Sequence, residues 1–283
     1  MNDLLHQPTV FIHGYFDNLK TKDIRFLQEA SKLGDVHILL FSDDIFIKYN
    51  NKEPISLVDE RRYYLESIRY VKQVSVIDQK IQDLSLPPTP QLTNTYQQPI
   101  WAVLEKDVNQ DNRNFSNKND LKFHVIPDSS LAGFPFAEVN GEFSAPLRKK
   151  VAVSGCFDWV HTGHIRFFEE VSEFGDLYVV VGHDMNVSLL KGEGHPMFPE
   201  IERLYWVQSI RFVKKAMLSS GHGWLDAAPE LKKIKPDMFV VNKDGDNPEK
   251  REYFKNQNIE YIVLERKPKP GLPARVSTDL RGF

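Results

Sequence analysis

Only one cysteine, Cys156, occurs in the 283 residues, so no disulfide can close within the chain and no thiolate cluster can hold zinc. Long apolar runs are missing too: nowhere do about 18 apolar residues follow one another, as a membrane-spanning helix requires. The opening residues 1–7 have neither the basic flank nor the apolar stretch of a secretory signal. A soluble protein of the reducing cytoplasm, without a membrane partner, is the expectation. An excess of either charge is lacking as well. The 36 Lys and Arg stand against 39 Asp and Glu, a net charge of -3, which gives no general attraction to nucleic acid or anionic lipid. Any polyphosphate site must therefore be built locally. What is present, 41% hydrophobic and 27% charged residues, is the composition of an ordinary globular protein.

The organising feature is an internal repeat. Residues 14–44 align without a gap to 155–185 with twelve identities over 31 positions. Gly14-Tyr-Phe-Asp17 faces Gly155-Cys-Phe-Asp158, and Ile24-Arg-Phe26 faces Ile165-Arg-Phe167. Residues 60–72 then match 202–214 at eight of 13 positions, among them Glu60-Arg61 opposite Glu202-Arg203. Collinear matches of this kind indicate a duplicated domain, with expected units 1–146 and 147–283.

Each copy opens on a short apolar run, Thr9 to Ile12 or Val151 to Val153, that reads as a buried strand. In the second copy Ile165, Phe168 and Val171 then follow at helical spacing, closed by Phe174-Gly175. Leu177 to Val181, Met238 to Val241 and Ile259 to Leu264 supply further strands, with a helix around 201–213. Strands alternating with helices predict parallel pairing, hence two tandem Rossmann-like α/β domains. Ligands in such sheets bind beyond the carboxyl ends of the strands. The polar tract 106–120 reads as a loop, and 127–146 as the end of copy one plus a linker.

One constellation carries chemistry. Gly155-Cys-Phe-Asp-Trp-Val-His161-Thr-Gly163-His164 follows a strand and opens a helix. A helix start offers unpaired N–H groups and a partial positive charge, which suit a phosphate. Gly155, Phe157 and Asp158 would build the cradle, and Cys156 would serve there as a small packed residue. His161 and His164, three apart, share a face of the first turn. Gly163 leaves room for a triphosphate against the backbone. Two imidazoles aimed at the α-phosphate would stabilise charge growing on departing pyrophosphate. No clustered carboxylates are visible, so an expected Mg²⁺ would be held mainly by substrate phosphates. His183 and His222 have no partners at metal-ligand spacing.

These ten residues resemble the signature of the cytidylyltransferase superfamily, which includes cytidylyltransferases for phosphorylated alcohols and adenylyltransferases for sugar phosphates. The tandem layout is most similar to that of ethanolamine-phosphate cytidylyltransferases. The resemblance implies transfer of CMP from CTP to a phosphorylated alcohol such as ethanolamine phosphate or glycerol phosphate, as in phospholipid biosynthesis. It also implies roles for further residues: Lys191 reaching the triphosphate from a loop, Arg203 holding substrate phosphate, and Asp244 close to the base. Arg266 or Arg275, with Ser277 and Thr278, would bind the triphosphate. The C-terminal pattern departs from the family's, because Arg266 is too far from Ser277, Arg275 is too near, and Asp279 stands where a threonine is expected. Adenylyl transfer to a sugar phosphate and a nucleotide-binding pseudoenzyme remain as alternatives.

In the first copy Lys20 and Asp23 stand in place of the two histidines and Lys22 in place of the glycine. No turnover is expected there. The protein would be a monomer with an internal pseudo-dimer, or a homodimer.

Overall fold

The computed structural model describes residues 7–79, 81, 83–88, 99–135 and 148–276. Two compact units divide the chain, Met1–Gly133 and Phe134–Phe283. The division falls earlier than the expected 146/147, which itself lies outside the described residues. Phe134 belongs with the second unit because its ring packs 5.6 Å from that of Tyr205.

The first unit contains β1 (Thr9–Gly14), α1 (Thr21–Ser31), β2 (Asp35–Phe41), α2 (Asp43–Asn50), α3 (Val58–Ser67) and β3 (Val71–Ile77). After these come β4 (Ile100–Leu104), α4 (Gln110–Lys118) and β5 (Lys122–Ile126). The second contains β6 (Lys150–Gly155), α5 (Thr162–Phe174), β7 (Asp176–Val181), α6 (Asp184–Lys191), α7 (Glu200–Gln208) and β8 (Val213–Leu218). It continues through α8 (Ala228–Ile234), β9 (Met238–Asn242), α9 (Pro248–Asn256) and β10 (Glu260–Leu264).

Each unit has one five-stranded sheet, ordered β3-β2-β1-β4-β5 and β10-β9-β6-β7-β8, and every described pairing is parallel. Read outward from the first strand, the two orders are the same. Even the irregularities agree: a register shift falls at Val36/His37 in one unit and at Leu177/Tyr178 in the other. Helical spacing in the second unit is expressed as expected, with Ile165, Phe168 and Val171 fully buried.

One topological detail positions the site. β6 pairs with β7 along six residues, but with β9 only at Val151↔Met238 and Ala152↔Phe239. Beyond that point the two strands separate, and a crevice opens at their carboxyl ends where the strand order reverses. β1 and β4 do the same after Val10↔Ile100 and Phe11↔Trp101.

The tract 106–120 is not a loop throughout, because it contains α4. Asn109 and Asn112 cap one another's backbone N–H groups, each at 2.8 Å. Asn112 and Ser116 then lie on the buried face, so a largely polar helix is anchored by its amides. The segment expected as a helix around 201–213 ends earlier, at Gln208, and β8 begins at Val213.

Candidate active site

The turn after β6 separates into a part that builds the fold and a part that is left open. Phe157 adopts a left-handed backbone conformation (φ 51°), which swings its ring back over Gly155. A Cβ on Gly155 would stand 2.9 Å from that ring, so the glycine is required by the phenylalanine. Asp158 is buried and points away from the helix start. Its Oδ1 accepts the N–H groups of Met197 (2.6 Å) and Phe198 (3.1 Å), and its Oδ2 accepts Nδ1–H of His195 (3.0 Å). The carboxylate thus pins the segment before α7 and does not line a phosphate cradle as the sequence suggested. Cys156 contributes its carbonyl to Arg203 (2.6 Å), and burial raises its thiol pKa above the ordinary value. It is a packed thiol.

Arg203 is likewise taken up by the fold. Its guanidinium is completely buried. Nε donates to the Phe198 carbonyl (2.9 Å), Nη1 to that of Cys156, and Nη2 to Asp184 Oδ1 (2.7 Å). The expected phosphate contact is therefore replaced by a brace between the turn and the starts of α6 and α7. The physical reason is geometric: a planar fork enclosed by two carbonyls and a carboxylate has its donors directed inward.

What remains open is the pair of histidines. His161 is the N-cap of α5, and its Nδ1 accepts the N–H of Gly163 at 3.1 Å. That bond places the ring proton on Nε2, a buried atom with no partner among the described residues. His164 packs against it, tilted by 34°, with ring centroids 4.1 Å apart. The Trp159 carbonyl bonds one side of His164, while Nδ1 is buried and unpartnered. Buried polar groups are normally satisfied, and two orphaned ring nitrogens at a helix start mark a place meant for a ligand. Gly163 lets the rings lie there, since a Cβ would come within 2.9 Å of the His161 ring and 3.1 Å of the Arg275 carbonyl.

Both imidazoles are held neutral. Burial, reinforced by the charges of Arg266 and Arg275, lowers the His161 pKa from 6.5 to about 4. His164 is pushed well below its ordinary value by burial first, then by His161, Arg266 and Lys191. Arg266 and Arg275 line one hollow with Gly163, and Lys191 lies near enough for its charge to act on His164. Lys191, the last residue of α6, is exposed and has no ion-pair partner among the described residues. Arg266 is ion-paired with Asp244 just past the end of β9. Ser277 and Thr278 lie outside the described residues.

Between β9 and the segment 266–276 lies a hollow of about 200 Å³, lined by Gly163, Phe167, Asn242, Arg266 and Arg275 among others. Lys269 fastens this segment to α5 through Glu169 (2.6 Å). Asn242, the last residue of β9, has a buried Oδ1 without a partner. Sequence reading missed it, because a single amide at a strand end has no spacing to betray it. By strand register its counterpart in the first unit is Leu104, and that contrast is the available signal.

In the first unit the framework is the same and the chemistry is gone. Asp17 accepts the N–H groups of Ile55 (2.9 Å) and Ser56 (3.0 Å), as Asp158 does for Met197 and Phe198. Phe16 repeats the left-handed turn (φ 52°). At the start of α1, however, Asp23 Oδ2 accepts the Lys20 backbone N–H at 2.8 Å, so a carboxylate sits where an anion would be received.

Among the described residues no group of three or more His, Cys, Asp or Glu side chains is arranged to hold a metal ion, and no helix is long and apolar enough to cross a membrane. A profile of the family described as Cytidylyltransferase-like matches residues 152–277. An FAD synthase of Methanosarcina mazei is 32% identical over 140 residues, covering 48% of this chain and 81% of that one. A bifunctional protein HldE of Nitratiruptor is 36% identical over 101 residues, which is 35% of this chain and 21% of that one. A lipopolysaccharide core biosynthesis protein from Thermoplasma volcanium, known from its crystal structure, aligns over 42% of this chain and 98% of its own, at 26% identity and a TM-score of 0.36.

Proposed function

Since the chain belongs, through its second unit, to the cytidylyltransferase superfamily of nucleotidyltransferases, we propose that this unit transfers AMP from ATP to a phosphate monoester and releases pyrophosphate. The observation that carries nucleotidyl transfer is the neutral histidine pair, His161 and His164, with orphaned ring nitrogens at the start of α5 and three cations around it. The choice of adenylyl over the cytidylyl group expected from sequence rests on the relatives. FAD is FMN joined to AMP through a pyrophosphate bond, so an enzyme that makes FAD from FMN moves an adenylyl group. Nothing in the relatives' names favours a phosphorylated alcohol or phospholipid synthesis. FMN is accordingly the first acceptor to test and sugar phosphates the second.

In this reading an oxygen of the acceptor phosphate attacks the α-phosphorus in line, the bond to the β-phosphate oxygen breaks, and pyrophosphate departs with the electron pair. His161 Nε2–H donates to an α-phosphate oxygen, worth most where charge accumulates in the transition state. A neutral donor serves without trapping the triphosphate as a tight ion pair. Arg266, Arg275 and Lys191 balance the charge on the β- and γ-phosphates. A bound Mg²⁺ would neutralise phosphate charge. The described residues form no cage for it, so the phosphates themselves would hold it. Asn242 Oδ1, buried and without a partner among the described residues, accepts the exocyclic amine of the base in this reading, which suits adenine and also cytosine. The first unit, with Asp23 at its helix start, turns nothing over.

Pyrophosphate release tests the reading, with ATP and CTP each offered FMN, hexose 1-phosphates, glycerol phosphate and ethanolamine phosphate. Release with ATP and one acceptor is expected. Turnover with CTP alone would return the reading to cytidylyl transfer, and ATP binding without turnover on any acceptor would make the unit a binding module.

A further inference from the structure

The first unit has lost the histidines, yet its crevice has not closed. A cavity of about 620 Å³ opens at the carboxyl ends of β1 and β4, inside the range of about 300–1,000 Å³ typical of small-molecule sites. A decayed domain under no demand to bind would be expected to fill such a space with side chains, as well-packed interiors do. One wall is instead actively held. His13, neutral because burial lowers its pKa to about 4, joins its Nε2 to the Leu84 carbonyl (3.2 Å). Asn112 donates to the neighbouring Ser85 carbonyl (3.0 Å). The half-buried His13 and the buried Asn112, from different elements, thus fix the residues that close the cavity.

The lining states what fits. Phe26, Leu104 and Val108 offer apolar surface, and Leu104 stands where the second unit has Asn242. At the rim Asn18 and Asp107 line the space and form no hydrogen bond among the described residues. A free carboxylate beside an apolar slot matches a sugar diol attached to a flat ring, since hydroxyls donate to carboxylates. Phosphates do not fit, because the helix start that would receive them is capped by Asp23 Oδ2 on the Lys20 N–H. Burial raises the pKa of that carboxylate, and lysines 20, 22 and 106 act on it in the opposite sense more weakly.

We propose that this cavity binds a nucleoside without phosphates, making the first unit a sensor site with the opposite charge preference to the second. The idea goes beyond the second unit's reaction and does not depend on it. Photolysis of the full chain with 8-azidoadenosine should label residues 84–88 or 100–112. Adenosine should protect them at concentrations about tenfold below those needed for AMP or ATP, a difference of about 1.4 kcal/mol. Val108→Trp should fill the cavity and remove the label while the melting curve stays cooperative. Asp107→Lys, at an exposed side chain whose exchange leaves the fold alone, should lower labelling about tenfold. Label confined to the second unit would overturn the proposal. So would stronger protection by AMP or ATP than by adenosine, or undiminished labelling of the two variants.

Discussion

Arg61 and Arg203 share three bonds in the two units, and Arg61 adds one more, from Nη1 to the Phe41 carbonyl at 3.0 Å. Each donates Nε to the carbonyl five residues earlier, Ser56 or Phe198, at 2.9 Å. Each donates Nη1 to the second residue of the Gly-x-Phe-Asp turn, Tyr15 or Cys156, at 2.6 Å. Each donates Nη2 to an aspartate, Asp43 at 2.6 Å or Asp184 at 2.7 Å. Because one unit keeps this brace without any histidine pair, the brace answers to the fold. Arg203→Ala leaves two carbonyls and the partly exposed Asp184 carboxylate without their donor and empties a fully buried site, and each buried group left unsatisfied typically costs about 1–3 kcal/mol. A large fall in the melting temperature is expected, with KM for ATP unchanged in the protein that remains folded. A stable variant with a raised KM would show that Arg203 does hold phosphate.

The histidines should behave in the opposite way. His164 has a buried nitrogen without a partner, so truncation removes a desolvation cost along with the group. His164→Ala should cut kcat by roughly 10²–10³, on the scale of losing one transition-state donor, because its ring packs 4.1 Å from that of His161 and orients the donor there, while stability holds. The same is expected of His161→Ala, offset in part by loss of the helix cap from Gly163 N–H. Steady-state kinetics beside thermal melts separates these outcomes. Near-normal kcat would remove the pair from the reaction.

These two contrasting behaviours explain what the sequence made legible. Duplication and parallel strand pairing could be read from collinear motifs and apolar runs, and the family resemblance singles out Lys191, Arg266 and Arg275. Residue roles within one motif could not, because Gly155, Phe157, Asp158 and His161 share a single short segment and look like one device. The comparison between copies contains the missing rule: residues kept where histidines are lost, such as Gly14, Phe16, Asp17 and Arg61, serve the fold. α4 escaped because its anchors are Asn112 and Ser116, whose burial depends on tertiary partners. Asn242 escaped because its importance lies in an unfilled bond, which only coordinates reveal.

Acid should destabilise the second unit through its neutral histidines. The folded pKa of His161 is about 4, below the ordinary 6.5 of the unfolded chain. The unfolded state therefore binds the proton first. Stability is fully present above pH 6.5 and declines as pH falls toward 4, by on the order of 3 kcal/mol for this residue. His164 adds to the loss in the same direction. His13 imposes a similar window on the first unit, so the wild-type slope alone is ambiguous. Melting of His161→Asn between pH 7.5 and 4.5 resolves it, with a shallower slope expected than for wild type. Bound ATP should flatten the slope too, since phosphate favours the protonated ring. Equal slopes in all cases would mean that the ring is already solvated.

Asn242 supplies the sharpest test of base reading. Its orphaned Oδ1 can accept a hydrogen bond from the 6-amino group of adenine but meets only a carbonyl in inosine. ATP and ITP are otherwise alike in size and charge. Wild-type protein should prefer ATP by up to about tenfold in kcat/KM, the effect of a hydrogen bond worth roughly 0.5–1.5 kcal/mol. Asn242→Leu restores the first unit's residue at this strand end and removes the acceptor. KM for ATP should rise, the preference over ITP should disappear, and kcat should change little because the base lies away from the reacting phosphorus. The same variant should melt at a slightly higher temperature, since an unsatisfied buried polar atom is gone. An unchanged ATP-to-ITP ratio would assign base selection to groups other than this amide.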